Sequence, residues 1–159
     1  MPTGKNGEYH YIETVSKHSV ICIPKYSKNQ FLMILQYRYL FDKWCIEFPG
    51  GFVDLSIYDP MDYGENAVHE LREETGFCAS VITELGEIIP YKGISNEISY
   101  VYLLEGLSYS PLQKDDTEFC ELLVFTPKQI NRLIQINAIT DAFTITAWKM
   151  YEEMIKILD

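Results

Sequence analysis

The sequence predicts an α+β domain, an α/β/α sandwich whose mixed sheet carries a central helix and ends in a helical C-terminus. Three observations point there. Segments rich in β-branched and aromatic residues dominate the first half, one amphipathic helix interrupts them, and two helices close the chain. Residues 18–23 and 31–39 read as the strands of a hairpin, separated by the turn cluster Pro-Lys-Tyr-Ser-Lys-Asn. Residues 44–48 form a shorter strand, ended by Pro49-Gly50-Gly51. Asp62 is placed to cap a helix over residues 63–75, and Gly76 stands where a left-handed C-terminal residue is wanted. Ala67, Val68 and Leu71 supply the apolar face of that helix. Residues 81–89, 98–105 and 119–125 read as further strands. A helix over 127–135 starts with Pro127 in its first turn, and the last helix, 141–158, takes Asp141 as its cap.

Length and composition bound what such a fold does. A chain of 159 residues suffices for one domain with a real core and is short for two. No run approaches the roughly 18 apolar residues of a membrane span, and the N-terminus is polar, so nothing marks the protein for a membrane or for export. Cys22, Cys45, Cys78 and Cys120 show no Cys-x-x-Cys pairing. They read as small core residues in a reducing cytoplasm rather than as disulfides or zinc ligands. A net charge of −10 argues against a general nucleic-acid binder, whose affinity rests on clustered Lys and Arg. It does not exclude a phosphate-bearing small molecule, because bound cations invert the local field.

The segment His69-Glu-Leu-Arg-Glu-Glu-Thr-Gly-Phe77 carries the chemistry. Residues three and four apart share a helix face, so Glu70 stands beside both Glu73 and Glu74. Like charges this close repel unless a cation sits between them, and a hard ion that prefers oxygen, Mg²⁺ or Mn²⁺, suits the set. The plain alternative is a solvated acidic face, common in a chain with 23 acidic residues.

With the Pro-Gly-Gly turn upstream, this segment resembles the box of the Nudix hydrolases, which closes on Arg-Glu-U-x-Glu-Glu-x-Gly-U with U apolar. Glu70, Leu71, Glu73, Glu74, Gly76 and Phe77 match without a gap, and Gly51 matches the box's start. Three departures stand out. His69 replaces the box arginine and cannot make the same bidentate contact. Gly51 lies 19 positions before Glu70 (70 − 51), about four more than the family pattern. The upstream box glutamate has no clear counterpart, with Asp59, Asp62 and Glu65 as candidates.

The flanks resemble the ADP-ribose pyrophosphatase branch of that family. Gln36-Tyr-Arg38 leading to Trp44-Cys-Ile-Glu-Phe-Pro-Gly-Gly51 is similar to its approach to the box. Gly93-Ile-Ser-Asn96, Asp115-Asp-Thr-Glu-Phe-Cys-Glu121 and Ile139-Thr-Asp-Ala-Phe-Thr144 are similar to its later loops and final helix, while Lys92 stands where that branch has proline. The resemblance implies Glu70, Glu73, Glu74 and the Gly50 carbonyl as metal ligands, with Glu73 also orienting the water. It implies Glu118 as general base, Arg38 on a substrate phosphate, Gly51 against the substrate, and Trp44 and Tyr91 as stacking surfaces for an adenine. It further implies Mg²⁺ or Mn²⁺, a small nucleoside diphosphate derivative as partner, and a homodimer. The expected reaction is hydrolysis of ADP-ribose to AMP and ribose 5-phosphate. Other nucleotide sugars, dinucleoside polyphosphates, or a non-catalytic nucleotide-sensing module on the same fold are the alternatives.

Overall fold

The computed structural model describes residues 12–13, 18–53, 62–112 and 120–158. Strands β1 (His18–Ser27) and β2 (Gln30–Arg38) form the expected hairpin, with Ser27 opposite Gln30. The turn is therefore only Lys28-Asn29. The segment from Pro24 to Ser27, expected in the turn, continues β1, because Pro24 lies beside Leu104 on a neighbouring strand and Lys25 beside Phe31. A short 3-10 helix, Tyr39–Phe41, ends β2 one residue earlier than expected. After it come β3 (Lys43–Glu47), β4 (Gly50–Phe52) and helix α1 (Tyr63–Thr75).

Both ends of α1 form as its sequence requires. The Asp62 side chain accepts from the Glu65 N–H at 3.0 Å, and Gly76 takes φ +78°. Next are β5 (Phe77–Cys78), β6 (Val81–Ile88), β7 (Ile98–Glu105), β8 (Ser108–Tyr109) and β9 (Cys120–Phe125), then α2 (Pro127–Gln135) and α3 (Ala142–Leu158). Thr126 and Gln129 close a capping box on α2. Asp141 accepts from the Thr144 N–H at 2.7 Å at the start of α3.

Among the described residues the main sheet runs β3-β2-β1-β7-β6, with β4 added on β1 and β9 on β2. β1 and β7 are parallel and the other pairs antiparallel, so the sheet is mixed. Alternation along β1 divides the interior in two. Val20 and Cys22 join Val53, Ala67, Leu71, Tyr102 and Leu104 beneath α1. Ile21 and Ile23 join Phe31, Met33, Trp148 and Tyr151 beneath α2 and α3. The α/β/α arrangement expected from the sequence follows from this division. All four cysteines carry free thiols, and Cys22 and Cys45 are buried. No helix among the described residues is long and apolar enough to cross a membrane.

Candidate active site

The acidic face of α1 opens on a cavity of about 1180 Å³, somewhat above the roughly 300–1,000 Å³ typical of small-ligand sites. The Pro-Gly-Gly turn is wedged between β1 and that helix, and this placement explains both glycines. A Cβ on Gly50 would lie 2.3 Å from the Val20 carbonyl oxygen, and one on Gly51 would lie 2.4 Å from Glu70 Oε2. Only hydrogen fits against the backbone at Gly50, whereas at Gly51 a larger group would have to displace the Glu70 carboxylate. The Gly50 N–H donates to Glu74 Oε2 at 2.9 Å, so the turn also orients the second acid of the i, i+4 pair Glu70 and Glu74.

Glu73 leaves the helix beside this row, with its Oε2 3.6 Å from His69 Nδ1. Ligand atoms of His69, Glu70 and Glu73 all lie within 4.8 Å of one another. A donor set dominated by carboxylate oxygen, gathered where like charges repel, fits a divalent cation. Behind the helix, burial first, and then Glu74 and Glu70, push the Cys22 thiol well above its ordinary range. Cys22 therefore stays a neutral thiol, donating to the Ala67 carbonyl at 3.0 Å.

Across the cavity, Arg38 at the end of β2 holds Glu47. Arg38 Nε lies 3.0 Å from Oε1 and 3.2 Å from Oε2, and Nη2 donates to Oε2 as well. Glu47 is buried, and its hydrogen bond, with Glu74 and Asp141 contributing less, raises the Arg38 pKa further. On β3, Lys43, Cys45 and Glu47 line the cavity while Ile46 packs on the apolar core. Lys43 stands directly opposite Arg38 and donates to Thr140 Oγ1 at 3.1 Å. At the other end Tyr91 meets Phe143 edge-on, ring centroids 6.3 Å apart, and both line the cavity. Glu97 is buried in the wall, where Ser19 Oγ donates to it at 3.0 Å and Ser99 Oγ at 3.4 Å.

Of the residues singled out in the sequence, Arg38, Gly50, Gly51, Glu70, Glu73, Glu74 and Tyr91 come together on this cavity. Trp44 does not line it. Period-two alternation puts its ring on the side of β3 away from Cys45 and Glu47, half exposed and edge-on to Tyr37 at 5.4 Å. Asp62 and Glu65 also stand away from it, Asp62 being engaged in capping α1. Asp59 and Glu118 lie outside the described residues. Sequence reasoning missed Glu47, Lys43 and Glu97. The available signal was a charged residue at the buried phase of a strand, as Glu47 is between Cys45 and Phe48.

A family model described as NUDIX domain matches residues 16–148, and the chain belongs to that family. It is a pyrophosphohydrolase of the Nudix type, and it is similar to ADP-ribose pyrophosphatases of that family. It is 26% identical over 149 residues to an ADP-ribose pyrophosphatase of Bacillus subtilis (strain 168), covering 92% of this chain and 77% of that protein. It is 28% identical over 149 residues to a methanol dehydrogenase activator of Bacillus methanolicus, with the same coverage of 92% and 77%. A solved structure of an ADP compounds hydrolase superposes with a TM-score of 0.78 at 19% identity, covering 87% of this chain and 72% of that one, a likeness of fold.

Proposed function

We propose that the protein hydrolyses the pyrophosphate of a nucleoside diphosphate linked to a second group, with ADP-ribose as the substrate, giving AMP and ribose 5-phosphate. The observation that carries this reading is the convergence of Glu70, Glu73 and Glu74 with Gly50 and Gly51 on the wall of one cavity that also holds Arg38. Glu70, Glu73, Glu74 and the Gly50 carbonyl would hold Mg²⁺ or Mn²⁺. Such an ion neutralises phosphate oxygens and makes a bound water more acidic. Glu118 takes the proton of the attacking water in this reading, and Glu73 helps to orient that water.

Arg38 faces a phosphate oxygen, its guanidinium kept in place by Glu47. Gly51 leaves room for the Glu70 carboxylate beside the turn, and its backbone flanks the substrate in this reading. Tyr91 and Phe143 offer the aromatic surface for the base. Trp44, on the other side of β3, belongs to a protein surface and not to the base site. A homodimer in the cytoplasm completes the reading.

Product analysis on ADP-ribose, UDP-glucose, GDP-mannose, NADH and diadenosine polyphosphates, with Mg²⁺ or Mn²⁺ and with chelator, tests it. Release of AMP from ADP-ribose that stops when the ion is chelated is expected. Ligand-induced thermal stabilisation without turnover of any panel member would instead mark a nucleotide-binding module.

A further inference from the structure

We infer that Lys43 meets the negative charge of the substrate's nucleoside-side phosphate, while Arg38, neutralised by Glu47, serves as an oriented donor. The inference deepens the hydrolase reading above and rests on it. Among the described residues the cavity wall carries six carboxylates, Glu47, Glu70, Glu73, Glu74, Glu97 and Asp141, against two cations, Arg38 and Lys43. A divalent ion answers the helix row in that reading, but the rest of the wall still repels an anionic substrate.

The two cations are not equivalent. Arg38 donates through Nε and Nη2 to Glu47, a carboxylate that is itself buried, so the pair presents no net charge to the cavity. Pulling Arg38 away would leave that buried charge unpaired, so the guanidinium stays where Glu47 holds it. Its remaining N–H groups can point at a phosphate oxygen, but its charge is already answered.

Lys43 has no such partner. Among the described residues its ammonium makes one hydrogen bond, to Thr140 Oγ1 at 3.1 Å, and no ion pair. A hydroxyl accepts without carrying charge, so the ammonium charge stays uncompensated and two of its three N–H groups are left for an anion. Register puts that charge in the right place. Lys43 lies opposite Arg38 across β2 and β3, and period-two alternation sends both side chains to the cavity face. Thr140 then fixes where the flexible lysine side chain ends. Phe143, three residues further on, belongs with Tyr91 to the aromatic surface offered to the base. Lys43 therefore stands on the nucleoside side of the diphosphate.

Lys43 is exposed, so its replacement leaves the core intact. Wild type, Lys43→Gln and Lys43→Arg are compared in two assays. The first is calorimetric binding of AMP in Mg²⁺, and the second is ADP-ribose hydrolysis between about 0.01 and 0.15 M salt. Lys43→Gln should weaken AMP binding and raise KM for ADP-ribose, each by roughly ten-fold, and Lys43→Arg should recover most of both losses. The loss in Lys43→Gln should be greatest at low salt and shrink as salt rises, because screening weakens the missing charge in wild type as well. A contact that only tied β3 to the approach of α3 would give a loss independent of salt, and that result would overturn the assignment. Unchanged AMP affinity in Lys43→Gln would overturn it too, while the hydrolase stands. Absence of AMP release from ADP-ribose by wild type would overturn the hydrolase reading and this inference together.

Discussion

The two faces of the central sheet are built to different ends. Beneath α2 and α3, Phe31, Trp148 and Tyr151 pack ring to ring with centroids 5.0–5.1 Å apart, among Ile21, Ile23, Met33, Ile130 and Ile139. Polar contacts on this face include the buried Phe48 N–H donating to Thr144 Oγ1 at 3.0 Å and the Trp148 indole N–H donating to Asn131 Oδ1 at 2.7 Å. Beneath α1 the packing is thinner: small Ala67, a buried thiol at Cys22, a phenol at Tyr102, and Leu71 as the helix's large buried apolar side chain. The first face is built for stability. The second suspends a row of repelling carboxylates over a cavity and spends part of its packing on positioning them. The ring cluster and the acidic row thus lie on opposite sides of β1, while Phe48 and Phe143 on the α3 side also reach the cavity.

The largest effect that would break this division is expected from Trp148→Ala. The ring is fully buried among Phe31, Phe48 and Tyr151, so truncation should cost about 3–5 kcal/mol. Denaturant unfolding reads the loss. Turnover per folded molecule, measured at low temperature, should hardly move, and a parallel collapse of turnover would show the faces to be coupled.

Gly51→Ala probes the other side. Its new methyl must displace the Glu70 carboxylate, because the Cβ would arrive 2.4 Å from Oε2. A misplacement on the order of 1 Å in a reacting array costs roughly 10²-fold in rate. Thermal stability should stay near that of wild type, since the clash is with the end of a side chain.

Tyr102 tests how α1's face responds to pH. Burial, then Glu84, pushes its phenol up to about 12. In the unfolded chain a tyrosine ionises near pH 10, roughly two units lower. Between these values the folded state holds the extra proton, so this contribution is complete below about pH 10 and is lost as pH rises toward the folded value. Tyr102→Phe should flatten that part of the stability profile, and an unchanged alkaline slope in the variant would exclude Tyr102 as its source.

The smallest effect comes from the helix cap. Asp62→Ala removes the acceptor for the Glu65 N–H and should cost about 1 kcal/mol. Since Asp62 does not line the cavity, kcat should stay within two-fold of wild type, roughly what a cap without substrate contact allows. A loss of activity beyond that would make Asp62 the missing upstream acid.

Much of this was legible in the chain because the signals were local. Asp62 and Gly76 bound α1 at both ends through hydrogen bonds and a backbone conformation that neighbours in sequence dictate. The spacing of Glu70, Glu73 and Glu74 placed them on one surface for the same reason. Contacts set by register were not legible. The Arg38–Glu47 pair joins two strands, and on β3 a shift of one residue would exchange Trp44 for Cys45 in the cavity wall. The two-residue strands β5 and β8 exist only through their pairing, Phe77 with Tyr109 and Cys78 with Ser108. Pro24 within β1 reads as a turn until β7 is beside it.

The acidic face of α1 is proposed to perform metal-assisted pyrophosphate hydrolysis. AMP release from ADP-ribose by wild type and Glu74→Gln, measured side by side in Mg²⁺ and in Mn²⁺, tests it most directly. The glutamine amide oxygen can still accept from the Gly50 N–H, so the turn keeps its partner while the carboxylate charge is removed. Wild type should release AMP and ribose 5-phosphate in equal amounts, and the variant should fall by roughly 10²–10³-fold with its fold intact. Equal rates in the two proteins, or no AMP from wild type in either ion, would contradict the account.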